Sequence, residues 1–309
     1  MKANASPPSV SVIDIGARGG AADEWAKIGG CVDLLGCEPD EEECQHLNDS
    51  TTTSVSSETY YPYAVGSADE SRPFYETRSP TCSSLLKPNT DEWKRYGEPG
   101  SKRNKRAEIV DVDTIETVSL ETLCEIENIA PDFLKLDTQG SELEILSGYN
   151  DGLSSLIGIE IEVEFVELYE NQPLFSDVDA FLREQGFELY GLKRHRWKLN
   201  DGETCPAESG GRVVFGDALY INTEVFETDS PIDPVAAMLV AARYGLFDLA
   251  RAIAASHDIN DAEMKTLLEK VSRVTKTKSN SLMARLVDKL PNLHDDRGEI
   301  VEFDETYGF

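Results

Sequence analysis

Four shortages bound this 309-residue chain. No apolar run approaches the roughly 20 residues that span a bilayer, which excludes a transmembrane helix. Met1–Pro8 lacks an apolar signal core, so the expected location is the cytoplasm. Six cysteines (Cys31, Cys37, Cys44, Cys82, Cys124, Cys205) form no C-x-x-C pair and have no histidine at ligand spacing, which argues against a zinc site or a redox dithiol. They read as reduced core residues. Cations are scarce, with 29 Lys and Arg against 58 Asp and Glu, and residues 1–229 hold 19 of the former and 45 of the latter. So acidic a surface repels phosphate and anionic lipid, which excludes a general nucleic-acid binder. There is no internal repeat and no low-complexity tract.

What is present is an alternation of strand and helix signals, the pattern of a parallel sheet covered on both faces. Strands are expected at 10–15, 32–37, 59–65, 109–118, 133–137, 156–163, 187–192 and 217–222, the last two as an antiparallel pair. Helices are expected at 21–28, 41–47, 120–128, 142–146 and 178–185. Between Gly66 and Ile109 the pattern dissolves into a proline-bearing loop, too long for a plain connection. Pro231 and Pro234 open a helical tail, with segments near 235–244, 246–256, 261–274 and 281–290. The expected division is therefore a catalytic-type domain over 1–229 and a helical extension over 230–309. The tail suits packing on the sheet, on a second copy in an oligomer, or on a partner.

Two strands end in a carboxylate followed at once by a turn: Val10–Ile15 with Asp14, then Gly16-Ala17-Arg18-Gly19-Gly20, and Phe133–Leu136 with Asp137, then Thr138-Gln139-Gly140. In open α/β sheets ligands sit beyond the carboxyl ends of the strands, so both acids point to one crevice. The first loop departs from the dinucleotide fingerprint G-x-G-x-x-G, because Arg18 stands where the second glycine belongs. A nicotinamide-dependent oxidoreductase is weakened accordingly. Asp14 suits a cationic group better than a pyrophosphate. Glu38, 22 residues after Gly16, stands where an acid accepts hydrogen bonds from both ribose hydroxyls. S-adenosylmethionine (SAM) meets both requirements, offering a ribose, an α-ammonium and a positive sulfonium.

The segments Ser9–Gly20, Leu35–Asp40, Ser83–Leu85, Val118–Leu123, Asp132–Gly148, Ile159–Glu162 and Gly186–Glu188 resemble, in order and spacing, the FkbM-type class I SAM-dependent methyltransferases. The most specific piece is Leu134-Lys135-Leu136-Asp137-Thr138-Gln139-Gly140-Ser141-Glu142. Gln139 departs from the acid common in the family, and Arg18 from a small polar residue. The resemblance implies an α/β, doubly wound, Rossmann-like seven-stranded sheet of order 3-2-1-4-5-7-6. It also implies a cofactor site of Asp14, Gly16, Ala17, Gly20, Glu38, Pro39, Ala64 and Val65, with Asp137 near the methyl group, and O-methylation of a sugar, glycan or other small oxygenated acceptor.

Moving a methyl group to an alcohol needs a positioned nucleophile and a base for its proton. Asp137 is the best-placed candidate, with a purely orienting acid as the alternative. Glu142 lies in a first helical turn, where the macrodipole stabilises its ionised form and favours a loop clamp. Glu160 either reaches the crevice or pairs with Lys135 across neighbouring strands. His195, within Lys193–Lys198, is a fourth candidate. Two basic islands interrupt the acidic field: Lys94-Arg95 with Lys102-Arg103 and Lys105-Arg106, and Lys193–Lys198. They are either solvated loops or an anion-selecting rim, in which case Arg95, Arg103 and Arg196 bind an acidic acceptor by bidentate forks. A scaffold that keeps the fold without catalysis is the remaining alternative.

Overall fold

The computed structural model describes residues 9–51, 54–96, 105–199, 210–260 and 262. Strand β1 (Val10–Ile15) is the centre of the molecule. Beside it run β2 (Val32–Cys37) and β3 (Ser57–Tyr61) on one side, all parallel. Two further strands, β4 (Ala64–Gly66) and β5 (Glu70–Thr77), join β6 (Ile109–Ser119) in a separate three-stranded sheet. The main sheet continues from β1 through β7 (Phe133–Leu136) and β8 (Gly158–Glu164), both parallel, and closes with the antiparallel β9 (Phe187–Trp197) and β10 (Arg212–Asn222). Its order is β3-β2-β1-β7-β8-β10-β9, which is 3-2-1-4-5-7-6 when only its own strands are counted.

Two expectations need correction. The single strand expected at 59–65 is broken by Pro62, which lacks an N–H for the ladder. The chain therefore leaves the main sheet after Tyr61 and re-pairs from Ala64 with Thr117–Ser119 of β6. The stretch expected to be loose after Gly66 contains all of β5, antiparallel to β6, with Pro73 in the edge strand of the three-stranded sheet. An edge position is where a strand tolerates proline.

The helices used below are α1 (Ala22–Trp25), α2 (Glu41–Asp49), α3 (Thr90–Lys94), α4 (Leu120–Ile126), α5 (Glu142–Ser147), α6 (Asn150–Leu153), α7 (Phe175–Glu184), α8 (Pro234–Arg243) and α9 (Phe247–Ser256). Among the described residues no helix is long and apolar enough to cross a membrane. Strand alternation assigns the core. Ile13, Ile15, Leu134, Leu136, Ile159 and Ile161 belong to one buried layer, with α4, α5 and α7. Val10, Val12 and Phe133 belong to the other, with Trp25, α8 and α9. Helix α8 is almost wholly buried and is capped by Asp233, whose carboxylate accepts from Val235 N–H at 2.8 Å. The described part of the helical tail thus packs on the sheet. The helices expected at 261–274 and 281–290 fall outside the described residues, apart from Ala262. A third cluster, containing Cys82, Trp93, Tyr96, Tyr169, Trp197 and Val214, forms at the carboxyl end of β8.

Candidate active site

A cleft of about 540 Å3 opens at the carboxyl ends of β1, β2 and β7. This is the size range of small-molecule sites. Its floor comes from Ile15, Gly16 and Cys37, one wall from Glu38-Pro39-Asp40 and Tyr63-Ala64-Val65, and the other from Asp137-Thr138-Gln139 and Ser83-Ser84-Leu85. The β5–β6 arm adds Phe74, Glu76, Asp113 and Ile115. Of the residues expected at the cofactor, Gly16, Glu38, Pro39, Ala64, Val65 and Asp137 line this cleft together.

Gly16 is required twice over. Its φ of +85° is the left-handed region that side chains avoid, and a Cβ there would lie 2.0 Å from the Asp137 carbonyl oxygen. The two acid-tipped strands therefore turn in direct backbone contact. Gly16 and Ala17 N–H groups both donate to the Cys37 carbonyl at 3.0 Å, locking the loop to β2. Ala17 is buried, and Gly20, at φ +76°, faces Tyr60 and Leu47. Neither lines the cleft.

Glu38 is buried, and Asp40 N–H (2.9 Å) and Arg18 Nη1 (3.2 Å) both donate to its Oε1. Burial raises its pKa, and those two partners pull it back. Among the described residues Oε2 receives no hydrogen bond, so one oxygen remains for a ligand. Arg18 lines the cleft and forks to Asp40 as well, at 2.9 Å. Arg18 was not among the expected site residues, and the two acids at 38 and 40 after it are the signal that finds it.

Asp137 is held at the opposite wall. Gln139 adopts φ +61°, a costly conformation for a side-chain-bearing residue. It spends both amide protons on carboxylates, one on Asp137 Oδ1 and one on Glu162 Oε2, each at 2.7 Å. The Tyr169 hydroxyl lies 2.9 Å from Gln139 Oε1, and Ser84 Oγ donates to the Gln139 carbonyl at 2.9 Å. The residue that departs from the family's acid thus bridges two acids as a neutral donor.

The other candidate bases stand elsewhere. Glu142 is buried beneath the loop, its carboxylate taking N–H bonds from Thr138 (2.7 Å) and Gly140 (2.9 Å). It is thus the loop clamp expected, although burial pushes its pKa up to about 7 against the pull of those N–H bonds. Glu160 accepts the Tyr244 hydroxyl and lies opposite Lys135 in the β7–β8 register, away from the cleft lining. His195 stacks on Phe215 with ring centroids 4.3 Å apart and has Nε2 3.3 Å from Asp217 Oδ2. Asp14 also leaves the cleft. Alternation along β1 puts it with Val10 and Val12, 1% exposed, paired to Lys135 Nζ at 3.3 Å.

Among the described residues, neither Arg95 nor Arg196 of the expected anion-binding rim lines the cleft. Arg95 pairs with Glu92 on α3 at 2.7 Å, Arg196 donates to the Gly211 carbonyl at 3.3 Å, and Arg103 lies outside the described residues. Among the described residues the lining holds five carboxylates, Glu38, Asp40, Glu76, Asp113 and Asp137, against the guanidinium of Arg18. That balance suits a positively charged ligand.

The model of the methyltransferase FkbM domain matches residues 14–189, more than half of the chain. The chain belongs to the FkbM methyltransferase family. Its strand order is that of the class I SAM-dependent methyltransferases, as this membership implies. Among solved structures, magnesium protoporphyrin IX methyltransferase from Synechocystis PCC 6803, with bound SAM, is 10% identical over 70% of this chain and 71% of that one, at a TM-score of 0.32. A protein from Thermoplasma acidophilum described as a methyltransferase is 9% identical over 74% and 72%, at a TM-score of 0.31. No curated protein matches the sequence. The FkbM match contains every cleft-lining residue named above, while α8 and α9 lie beyond it.

Proposed function

We propose that this FkbM-family chain binds SAM in the cleft and transfers its methyl group to a hydroxyl of a sugar, glycan or other small oxygenated acceptor. The observation that carries the reading is the pairing of Glu38 and Asp137 on opposite walls of one cleft, with the Gly16 turn packed between them. Glu38 receives the ribose through its free oxygen, Pro39, Ala64 and Val65 offer apolar surface to the adenine, and the acidic lining tolerates the sulfonium. When bound, SAM supplies a methyl carbon whose bond to sulfur breaks as its bond to the acceptor oxygen forms, leaving a neutral thioether.

The protein's part is to place that oxygen in line and to take its proton. Holding the reactants in reach supplies several kcal/mol of the barrier, and a positioned base contributes on the order of 10²–10⁴-fold. Asp137 is that base, because it is the one of the four candidates that lines the cleft. Gln139 fixes its Oδ1 and leaves Oδ2 for the acceptor hydroxyl. The charge of the lining and the placement of Arg95 and Arg196 favour a neutral acceptor over a phosphate-bearing one.

Calorimetry with S-adenosylhomocysteine (SAH) and with NAD, followed by labelled SAM with a panel of glycans and small polyols, tests the reading. SAH binding with label transfer to a neutral acceptor supports it. NAD binding in place of SAH removes it, and SAH binding without transfer to any acceptor points to a binding protein that keeps the fold.

A further inference from the structure

The described helical tail meets the cofactor strand through one polar chain, buried at Asp14 and half-buried at Lys135, Glu160 and Tyr244. At the end of α8 the backbone turns at Gly245, with φ +77°, and the preceding Tyr244 is thrust under the sheet. Its ring packs on Phe133 (centroids 5.7 Å) and Trp25 (6.2 Å), and the Arg243 guanidinium lies 4.5 Å from the ring's centre. The Tyr244 hydroxyl donates to Glu160 Oε2 at 2.5 Å. Glu160 is registered against Lys135, and Lys135 against Asp14, whose Oδ1 lies 3.3 Å from Lys135 Nζ. Asp14 precedes the Gly16 turn by two residues, and Trp25 belongs to the helix that follows the same loop.

The charges along this chain do not balance by themselves. Two carboxylates, Asp14 and Glu160, share one ammonium in a layer closed by Phe133, Trp25 and α8, with Glu24, Arg243 and Asp137 as the next ionisable neighbours. A buried carboxylate without a donor is unfavourable. The second carboxylate therefore needs a donor other than Lys135, and the phenol is placed to be one.

We propose that Tyr244 is a positioning residue for the cofactor loop: by holding Glu160 it leaves Lys135 to Asp14, and so fixes the strand end from which Gly16–Gly20 departs. The inference rests on the reading that this loop borders the SAM site. It gives the part of the chain beyond the FkbM match a role in binding, in addition to covering the sheet.

The test uses the full chain and SAH as the titrant, so no acceptor is needed. Tyr244→Phe keeps the ring and removes the donor. It should unfold at nearly the wild-type temperature yet bind SAH about tenfold more weakly, the size of one lost charge-assisted hydrogen bond. Glu160→Gln removes the competing charge, so it should keep affinity within about twofold, and adding Tyr244→Phe to it should then change little, a non-additivity that reports direct coupling. Equal affinity of Tyr244→Phe and wild type, or an undiminished loss in the Glu160→Gln background, would overturn the proposal. Should Tyr244→Phe fail to fold, a Glu160→Gln chain that binds SAH much more weakly than wild type would overturn it as well. Wild type that takes no SAH removes the cofactor reading itself, whereas wild type that binds while Tyr244→Phe is unchanged removes only the role of Tyr244.

Discussion

Arg18 Nη1 stands 3.2 Å from Glu38 Oε1, and its Nη2 2.9 Å from Asp40 Oδ2, so one guanidinium ties the first loop to the end of the second strand. This fork holds Oε1 of Glu38, a residue of the cleft lining. At 24% exposure the Arg18 side chain is shielded enough for the pair to matter, unlike a free surface ion pair. Arg18→Ala should weaken SAH binding about three- to tenfold, one hydrogen bond to a charged group, as read by calorimetry. Tighter binding would instead mean that Arg18 acts on the sulfonium by repulsion.

Gly16→Ala should be far more damaging. The added carbon meets the Asp137 carbonyl at 2.0 Å, and backbone cannot move aside as a flexible side-chain tip can. A loss of about 2–4 kcal/mol in denaturant unfolding, together with loss of SAH binding, is expected from combined strain and overpacking.

Asp137→Asn should separate chemistry from binding. If Asp137 takes the acceptor proton, kcat falls about 10²–10⁴-fold while SAH affinity stays within a few-fold of wild type. Steady-state kinetics with an acceptor from the panel would show this split. A loss confined to the SAM KM would make Asp137 an orienting acid.

Glu142 sets a pH dependence of stability opposite to that of an ordinary ion-paired carboxylate. Its folded pKa is raised by burial from 4.5 to about 7, so between those values the folded state holds a proton that the unfolded state has released. The unfolded chain then binds fewer protons, and stability falls as pH rises through that window and levels off above it. Glu162 and Glu164, also raised by burial, push in the same direction. Denaturant midpoints should decline from pH 5 to pH 7, and Glu142→Gln should reduce the slope.

The main sheet was legible because its strands carry their own signals: mostly apolar runs, each broken by only one or two polar residues, for β1, β2 and β7, and strict alternation for β8. Glu38 and Asp137 were legible because each directly follows the last residue of its strand, at the end where ligands sit in such a fold, whereas Asp14 lies within β1. Of the β5–β6 arm, β6 was expected at 109–118 but β5 was not, since its polar, proline-bearing strand buries little. Asp14 was assigned to the cleft although its alternation with Ile13 and Ile15 puts it on the other face of β1. Lys135 is its partner by register, and register is a property of pairing that a single sequence does not display. For the same reason Tyr244, more than a hundred residues further on, gave no sign of meeting that layer.

The most direct test is a SAH titration of the wild-type chain beside Glu38→Ala. Saturable one-to-one binding by the wild type, reduced at least about tenfold when the ribose acceptor is removed, is the expected outcome. Binding indifferent to Glu38, or absent altogether while NAD binds, would place the cofactor elsewhere and end the assignment of this cleft.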